Sequence, residues 1–389
     1  MRTRAKTAVA TSVATKAVVW GVVAGVAGLT TPSTPAFAQT PSIEYMQPLP
    51  GYAITRISGI ADDGTVVGWH DPNGGFQPGP VFRYTPGGTR TEHGVGFGPV
   101  ISGDGRVISI GTSGALATPR LYYDDGTTRD LPNLTLAGQE RQGFVTHLNH
   151  DGSVAMLAAS YDRPGEGRKT SYRWTESGGT QIPPFPLGGS TWNQTNGLSS
   201  DGRVAVGDWS PSSFSFEMPW GWTNAGSTLD PLVDLDGNMI TNGRMLSVTG
   251  DGLTQYGWYD TGSFNIHPFS ITGGVISPLD LGVVMGIRPV PEGTSYDGSV
   301  LVGSLGGNNG SWIWTQETGA MRAADFFVAH GVNVNTEDSF FRMLVSADGK
   351  HFAALAESGA SILVTIPASG PTTVLMLSWI GASLRRRRR

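Results

Sequence analysis

The sequence contains no cysteine, which removes disulfides, thiolate metal sites and cysteine nucleophiles together. Charge is sparse: 15% of the 389 residues are Asp, Glu, Lys or Arg. A helical bundle needs a charged or polar face on every helix, and this composition cannot supply it. Catalytic signatures are missing as well. There is no Gly-x-x-x-x-Gly-Lys-[Ser/Thr], no His-Glu-x-x-His and no Gly-x-Ser-x-Gly. Gly197-Leu198-Ser199-Ser200-Asp201 and Gly293-Thr294-Ser295-Tyr296-Asp297 lack the closing glycine of a nucleophile elbow. Their serines fall at strand ends of a repeated unit.

Glycine (56) and proline (25) are in excess, together about a fifth of the chain. The length is that of about two domains or one large all-β domain. The formal net charge of −5 conceals an asymmetry. Arg2, Arg4, Lys6 and Lys16 precede residue 39, and five consecutive arginines, the first Arg385 and the last Arg389, end the sequence. Without those nine, 17 basic residues face 31 acidic ones, a net of −14. Such a body repels phosphate backbones, which argues against nucleic acid as a partner.

Residues 1–38 read as a secretory signal peptide: a basic start, an uncharged apolar core over 17–29, and Ala36-Phe37-Ala38 as the small-x-small cleavage pattern before Gln39. Signal peptidase is the partner this implies, and residues 39–50 then form a short leader segment. At the other end, Ala368-Ser369-Gly370-Pro371 leads into an apolar run over 372–384 and then the arginines. Both apolar runs are 13 residues long, short of the roughly 20 that a bilayer span needs. Residues 368–389 are read as a sorting or anchor tail whose basic cap stays cytoplasmic.

An Asp-Gly pair recurs at Asp63, Asp104, Asp151, Asp201, Asp251, Asp297 and Asp348, at intervals of 41, 47, 50, 50, 46 and 51 residues. Alternating valines follow, as in Val204, Val206 and Gly207. An aromatic strand comes next, as in Phe82-Arg83-Tyr84, Tyr172-Arg173-Trp174, Trp220-Gly221-Trp222 and Trp312-Ile313-Trp314. Asp-Gly is a strong hairpin signal, and alternation places one strand face inward. Four short strands in such a period match one propeller blade. The pattern over 51–367 predicts an all-β, seven-bladed β-propeller, with N-terminal strands at 43–46 and 52–57 completing the last blade. The alternative is six blades plus a terminal unit; a two-sheet sandwich would not require near-identical repeats. One short helix is predicted over 320–330, ending at Gly331 and placed before the last blade.

The unit Ser-x-Asp-Gly-x-Val-x-Val-Gly, then aromatic-x-Trp-Thr, then Gly-Gly resembles the HAF repeat of exported bacterial proteins, with His267-Pro268-Phe269 nearest to the name-giving triplet. The tail resembles the PEP-CTERM tails handled by exosortase-type enzymes, with Ser369-Gly370-Pro371 standing where that family has Pro-Glu-Pro. These resemblances imply export, a propeller-like repeat and a sorting enzyme as partner. They imply no known reaction.

Candidate sites are few. Trp69, Trp192, Trp209 and Trp258 fall near strand ends or in connections, where a flat aromatic face could meet a sugar ring. Asp230, Asp234 and Asp236 are candidate calcium ligands, although Leu232 and Gly243 occupy the register positions where an EF-hand needs acids. His147, His150 and Asp151 are close in sequence, but metal sites need three or four ligands in defined geometry. The seven repeated aspartates read as turn formers. The expected function is that of a monomeric, non-catalytic module at the cell surface or envelope, with exopolysaccharide as candidate ligand. The rivals are a lyase or glycosidase with carboxylates in a central channel, and a structural repeat without a ligand.

Overall fold

Each Asp-Gly pair sits in a turn whose side chains replace the hydrogen bonds that the bent backbone cannot make. A computed structural model describes residues 40–367, apart from 112–117, 137–138, 142, 164–165, 182–191, 211–216, 224–231, 235–236, 263–265, 283–288, 306–309 and 336–338. In the turn at Asp104, the Ser102 hydroxyl donates to the carboxylate at 2.7 Å and accepts from the Val107 N–H at 3.0 Å, while the Arg106 N–H donates to the same carboxylate. The same bonds recur at Asp201, Asp251, Asp297 and Asp348 through Ser199, Thr249, Ser295 and Ser346. Asn149 takes the hydroxyl's place at Asp151. Ala61 has nothing to offer Asp63, so Thr65 donates to it instead.

The glycine of each pair has φ between 67° and 81°, a region that costs any other residue strain. It also has a neighbour. A Cβ on Gly152 would stand 2.5 Å from Val107, and one on Gly202 would stand 2.7 Å from Val154, the first strand residue after the preceding turn. Successive turns therefore lean on one another.

In chain order, β1 (Ser42–Met46) stands apart from its sequence neighbours. A seven-stranded sheet follows: β2 (Ile54–Ile60), β3 (Val66–Asp71), β4 (Gly79–Thr85), β5 (Thr89–Ile101), β6 (Val107–Gly111), β7 (Arg120–Tyr123) and β8 (Thr128–Asp130). β9 (Leu134–Leu136) and β10 (Gln139–Arg141) form a small hairpin. The second seven-stranded sheet holds β11 (Gly143–Leu148), β12 (Val154–Arg163), β13 (Glu166–Thr175), β14 (Gly179–Gln181), β15 (Trp192–Leu198), β16 (Val204–Ser210) and β17 (Met218–Thr223). Two four-stranded meanders come next: β18 (Gly243–Val248), β19 (Thr254–Asp260), β20 (Ile266–Thr272) and β21 (Val275–Pro278), then β22 (Val290–Thr294), β23 (Val300–Ser304), β24 (Ser311–Thr315) and β25 (Gly319–Arg322). After the helix α1 (Ala323–Ala329), β26 (Phe340–Val345), β27 (His351–Ala356) and β28 (Ser361–Thr365) form the last sheet, with β1 added on β28.

The fold is thus an all-β propeller of five blades, with the β9–β10 hairpin beside them and one short helix among the described residues. The expectation of seven separate blades is corrected, as is that of six with a terminal unit. The shortest repeat interval, 41 residues, leaves no room for a connection between two units, so one long strand, β5, pairs with β4 through its first half and β6 through its second. The next two units are joined differently, by a single parallel bridge between Lys169 of β13 and Trp192 of β15. The seven turns are real, but five sheets carry them. Of the N-terminal segments, only β1 completes the last sheet; residues 54–60 open the first one.

The repeated Val-Gly has a second cause. Gly68, Gly207, Gly257 and Gly303 lie directly opposite Phe82, Trp220, Phe269 and Trp312. A Cβ on Gly207 would stand 1.9 Å from the Gln194 carbonyl oxygen and 2.9 Å from the Trp220 ring. The glycine is a slot, and the aromatic ring fills it. Trp220 and Trp312 are fully buried this way. α1 begins later than expected, at Ala323, and Gly331 follows its C-cap with φ 79°. Its Phe326 and Phe327 pack against Phe340 and Phe352 in the largest apolar cluster.

Gly152→Ala is expected to lower the unfolding free energy by about 2–4 kcal/mol, the sum of a left-handed residue and an overpacked contact. Gly126→Ala, with φ 84° and no atom within 4 Å of its Cβ, should cost only the backbone part, about 1–2 kcal/mol. Urea unfolding of the two variants distinguishes the terms.

Candidate functional site

The first strands of the seven turn units, β2, the second half of β5, β11, β15, β18, β22 and β26, neighbour one another in order, and β26 returns to β2. They surround the propeller axis. On the turn face, the residue preceding each Asp-Gly pair, joined in the second unit by Asp104 itself, extends the circle in hydrogen bonds. Asp62 N–H donates to the Gly103 carbonyl, Asp104 N–H to His150, His150 to Ser200, Ser200 to Gly250, Gly250 to Tyr296 and Tyr296 to Ala347, all at 2.7–2.9 Å. The Ala347 N–H closes the ring on Asp62 Oδ1 at 3.2 Å.

The side chains at this face are Asp62, His150, Ser200 and Tyr296. Gly103 and Gly250 provide room: a Cβ there would stand 2.6 Å from the His150 ring and 2.0 Å from that of Tyr296. His150 Nδ1 lies 3.3 Å from Asp62 Oδ2. Burial pushes the Asp62 carboxyl up, against the Ala347 hydrogen bond and the charge of His150. Ser200 makes no hydrogen bond to the His150 ring among the described residues. Asp251 and Asp297 sit below the usual carboxylate range, held chiefly by the hydroxyls of Thr249 and Ser299. At Asp151 and Asp348 burial opposes ionisation, but the hydroxyls of Ser153 and Ser346 and the neighbouring N–H groups outweigh it. These carboxylates are occupied by their own turns.

The opposite face is built by the starts of the inner strands. Each of the seven carries a β-bulge in the same region. In two of them the bulge takes in two residues: Gly98 and Pro99 in β5, and Arg342 and Met343 in β26. Gly98 has φ 50° and Arg342 has φ 52°, each six residues before its turn aspartate. Phe76 (φ 59°) is the other non-glycine residue with positive φ among those described, and the Arg342 guanidinium lies 5.9 Å from its ring. Arg56 packs on the same ring at 3.8 Å and pairs with the buried Asp71 at 2.7 Å. Asp71 also accepts the backbone N–H groups of Asn73, Gly74 and Phe76. Burial would raise its carboxyl, yet Arg56 and these N–H groups hold it below the usual range. Phe76 is therefore fixed from behind and remains 60% exposed.

Of the tryptophans singled out, Trp69 and Trp209 are corrected to core residues, each 3% exposed and therefore without a free face. Trp258 is half-buried on β19, and the side chain of Trp192 lies outside the described residues. Asp230 and Asp236 lie outside them too. Asp234 bonds to Asn238 within its own loop. His147 is half-buried on β11 while His150 turns to Asp62, and among the described residues no group of three His, Cys, Asp or Glu side chains is placed to hold a metal. Ala36, Ala38, Gln39, Pro371, Arg385 and Arg389 are likewise outside the description. No helix among the described residues is long and apolar enough to cross a membrane. Sequence reasoning missed Asp62, Arg56, Phe76 and Arg342, and weighed His150 only as a metal ligand beside His147. The signal for Arg342 was its place in the repeat, where the other two-residue bulge has glycine.

No protein-family model matches the sequence, and no curated protein matches it. Solved structures do. The β-propeller domain of the Trilobed protease from Pyrococcus furiosus, described as having an open velcro topology, is 11% identical with a TM-score of 0.53, over 79% of this chain and 92% of that one. Pyrococcus horikoshii acylaminoacyl peptidase is 10% identical with the same TM-score, over 79% of this chain and 49% of that one. A chain of Kuenenia stuttgartiensis hydrazine synthase is 14% identical with a TM-score of 0.48, over 82% and 97%. At such identities the likeness to the two Pyrococcus structures defines the class of the fold, a β-propeller, and nothing of its chemistry.

The pH dependence of stability follows from these groups. A carboxyl lowered by folding adds stability above its unfolded pKa and loses it as pH falls through the folded one. Asp151, Asp251, Asp297 and Asp348 should thus weaken the fold below about pH 4. Burial lowers His70 and His147 to about 4, so the unfolded chain takes up their protons first and stability falls between about pH 6.5 and 4. Urea midpoints should drop from pH 7 to 5 and again from 5 to 3. His147→Gln should make the first step smaller, with His70 supplying what remains, and leave the second step unchanged.

Proposed function

We propose that the protein is an exported, envelope-associated propeller acting as a non-catalytic interaction module, with surface polysaccharide as its ligand. Residues 1–38 support export by signal peptidase, and the tail over 368–389 supports handling by an exosortase-like sorting enzyme. The observation that carries the binding reading is Phe76: an exposed aromatic ring pinned by a buried Arg56–Asp71 pair at the axial end of the molecule. Rigid aromatic surface exposed to water is characteristic of recognition sites, because it supplies contact area at little entropy cost. The aspartates of the Asp-Gly pairs favour a non-catalytic reading, because each accepts hydrogen bonds from its own turn.

Retention on immobilised envelope polysaccharide from the producing cell tests the binding. The intact protein should be retained above an unrelated acidic propeller, and Phe76→Ala should reduce retention at least fivefold without changing the urea midpoint. Equal retention of the two propellers would remove this reading. Terminal-peptide mass spectrometry of the protein from cell fractions should find a chain starting at Gln39 and ending before Arg385.

A further inference from the structure

Arg342 adopts a left-handed conformation that strains an arginine, where the corresponding bulge uses Gly98. Backbone strain of this kind concentrates at ligand-binding positions. A Cβ on Gly98 meets nothing within 4 Å, so the position opens outward, and Arg342 is exposed. Its guanidinium has no ion-pair partner within 4 Å among the described residues. Glu292 is nearby, but its carboxylate accepts a hydrogen bond from Ser304 at 2.6 Å. Arg56, by contrast, is satisfied by Asp71 and the Gly74 carbonyl. Desolvation and the positive charge of Arg56 both push the Arg342 guanidinium down, with Glu292 opposing. Two guanidinium groups thus share one aromatic ring, and only one of them has a counter-ion.

We propose that Arg342 and Phe76 form a subsite for a carboxylate-bearing sugar, a uronate unit, with the guanidinium taking the carboxylate and the ring packing on the sugar's C–H face. This rests on the polysaccharide reading above and narrows its ligand class. A planar carboxylate matches the guanidinium fork in a way a neutral hydroxyl does not. The rest of the body is acidic, so few other groups would hold such a ligand, and one substitution should remove the preference.

The test is calorimetric titration of the full chain with tri-galacturonate and with its methyl ester, which keeps the ring and removes the charge. The acid should bind at least tenfold more tightly than the ester, and the gap should narrow in 0.5 M salt, as screening requires. Arg342→Gly suits φ 52° and should fold at least as well as the parent, which its urea midpoint checks. It should bind acid and ester alike, while Arg342→Lys retains part of the preference. Equal affinity of the parent for acid and ester would overturn the uronate subsite and leave the polysaccharide reading standing. A preference that survives in Arg342→Gly would overturn the role of Arg342. Retention of neither sugar, together with no retention on envelope polysaccharide, would remove both.

Discussion

The ring of hydrogen bonds that links the seven Asp-Gly turns is the constraint from which the rest of the molecule follows. Each bond is an ordinary amide–carbonyl pair, worth about 1 kcal/mol net. Their effect comes from closure. Six of them run backbone to backbone, and the seventh ends on the Asp62 side chain because the N–H of Ala347 finds a carboxylate oxygen there. A circle of this kind fixes how far each turn sits from the axis. The glycine of each turn must then accept a left-handed backbone, and at Gly64, Gly152, Gly202, Gly252 and Gly349 the first strand residue of the preceding unit as well. The turn serines, threonines and asparagine satisfy the N–H groups that the circle leaves over.

Much of this was legible in the sequence, because the physics of the turn acts over six residues. Ser-x-Asp-Gly-x-Val states its hydrogen bonds almost completely, and Val-Gly followed by an aromatic strand states the slot and the ring that fills it. How the strands join into sheets was not legible. Within the 13 residues of β5, Gly94, Gly96, Gly98 and Pro99 read as a break between two strands, yet they bend and bulge a single strand that continues through them. Tryptophans misled for a related reason. Trp69 and Trp209 stand at strand ends, where sequence suggests exposure, yet both are covered by neighbouring strands.

The two axial faces also differed in legibility. The turn face repeats, so its variable position can be found by alignment of the repeats, and Asp62, His150, Ser200 and Tyr296 occupy it. The other face is assembled from residues that do not repeat. Phe76 belongs to a loop organised by Asp71, and Arg342 departs from the glycine of its counterpart bulge. Departures from an internal repeat are where selection has something to say beyond folding, and a sequence read for its regularity passes over them.

The addition of β1 to β28 sets the order of events during folding. Residues 42–46 are among the first of the described chain to be synthesised, and their partners, 361–365, are the last. Ser361 also donates to the Thr55 carbonyl across 306 positions. Until the final strand exists, the opening strand has an unpaired edge, and the ring of turns lacks its closing bond. The molecule therefore cannot acquire its stability piecemeal as it is made. Non-local pairings of this span fold slowly and leave strand edges open to other chains meanwhile, so whatever keeps the nascent protein from aggregating has to act until almost the last described residue is in place.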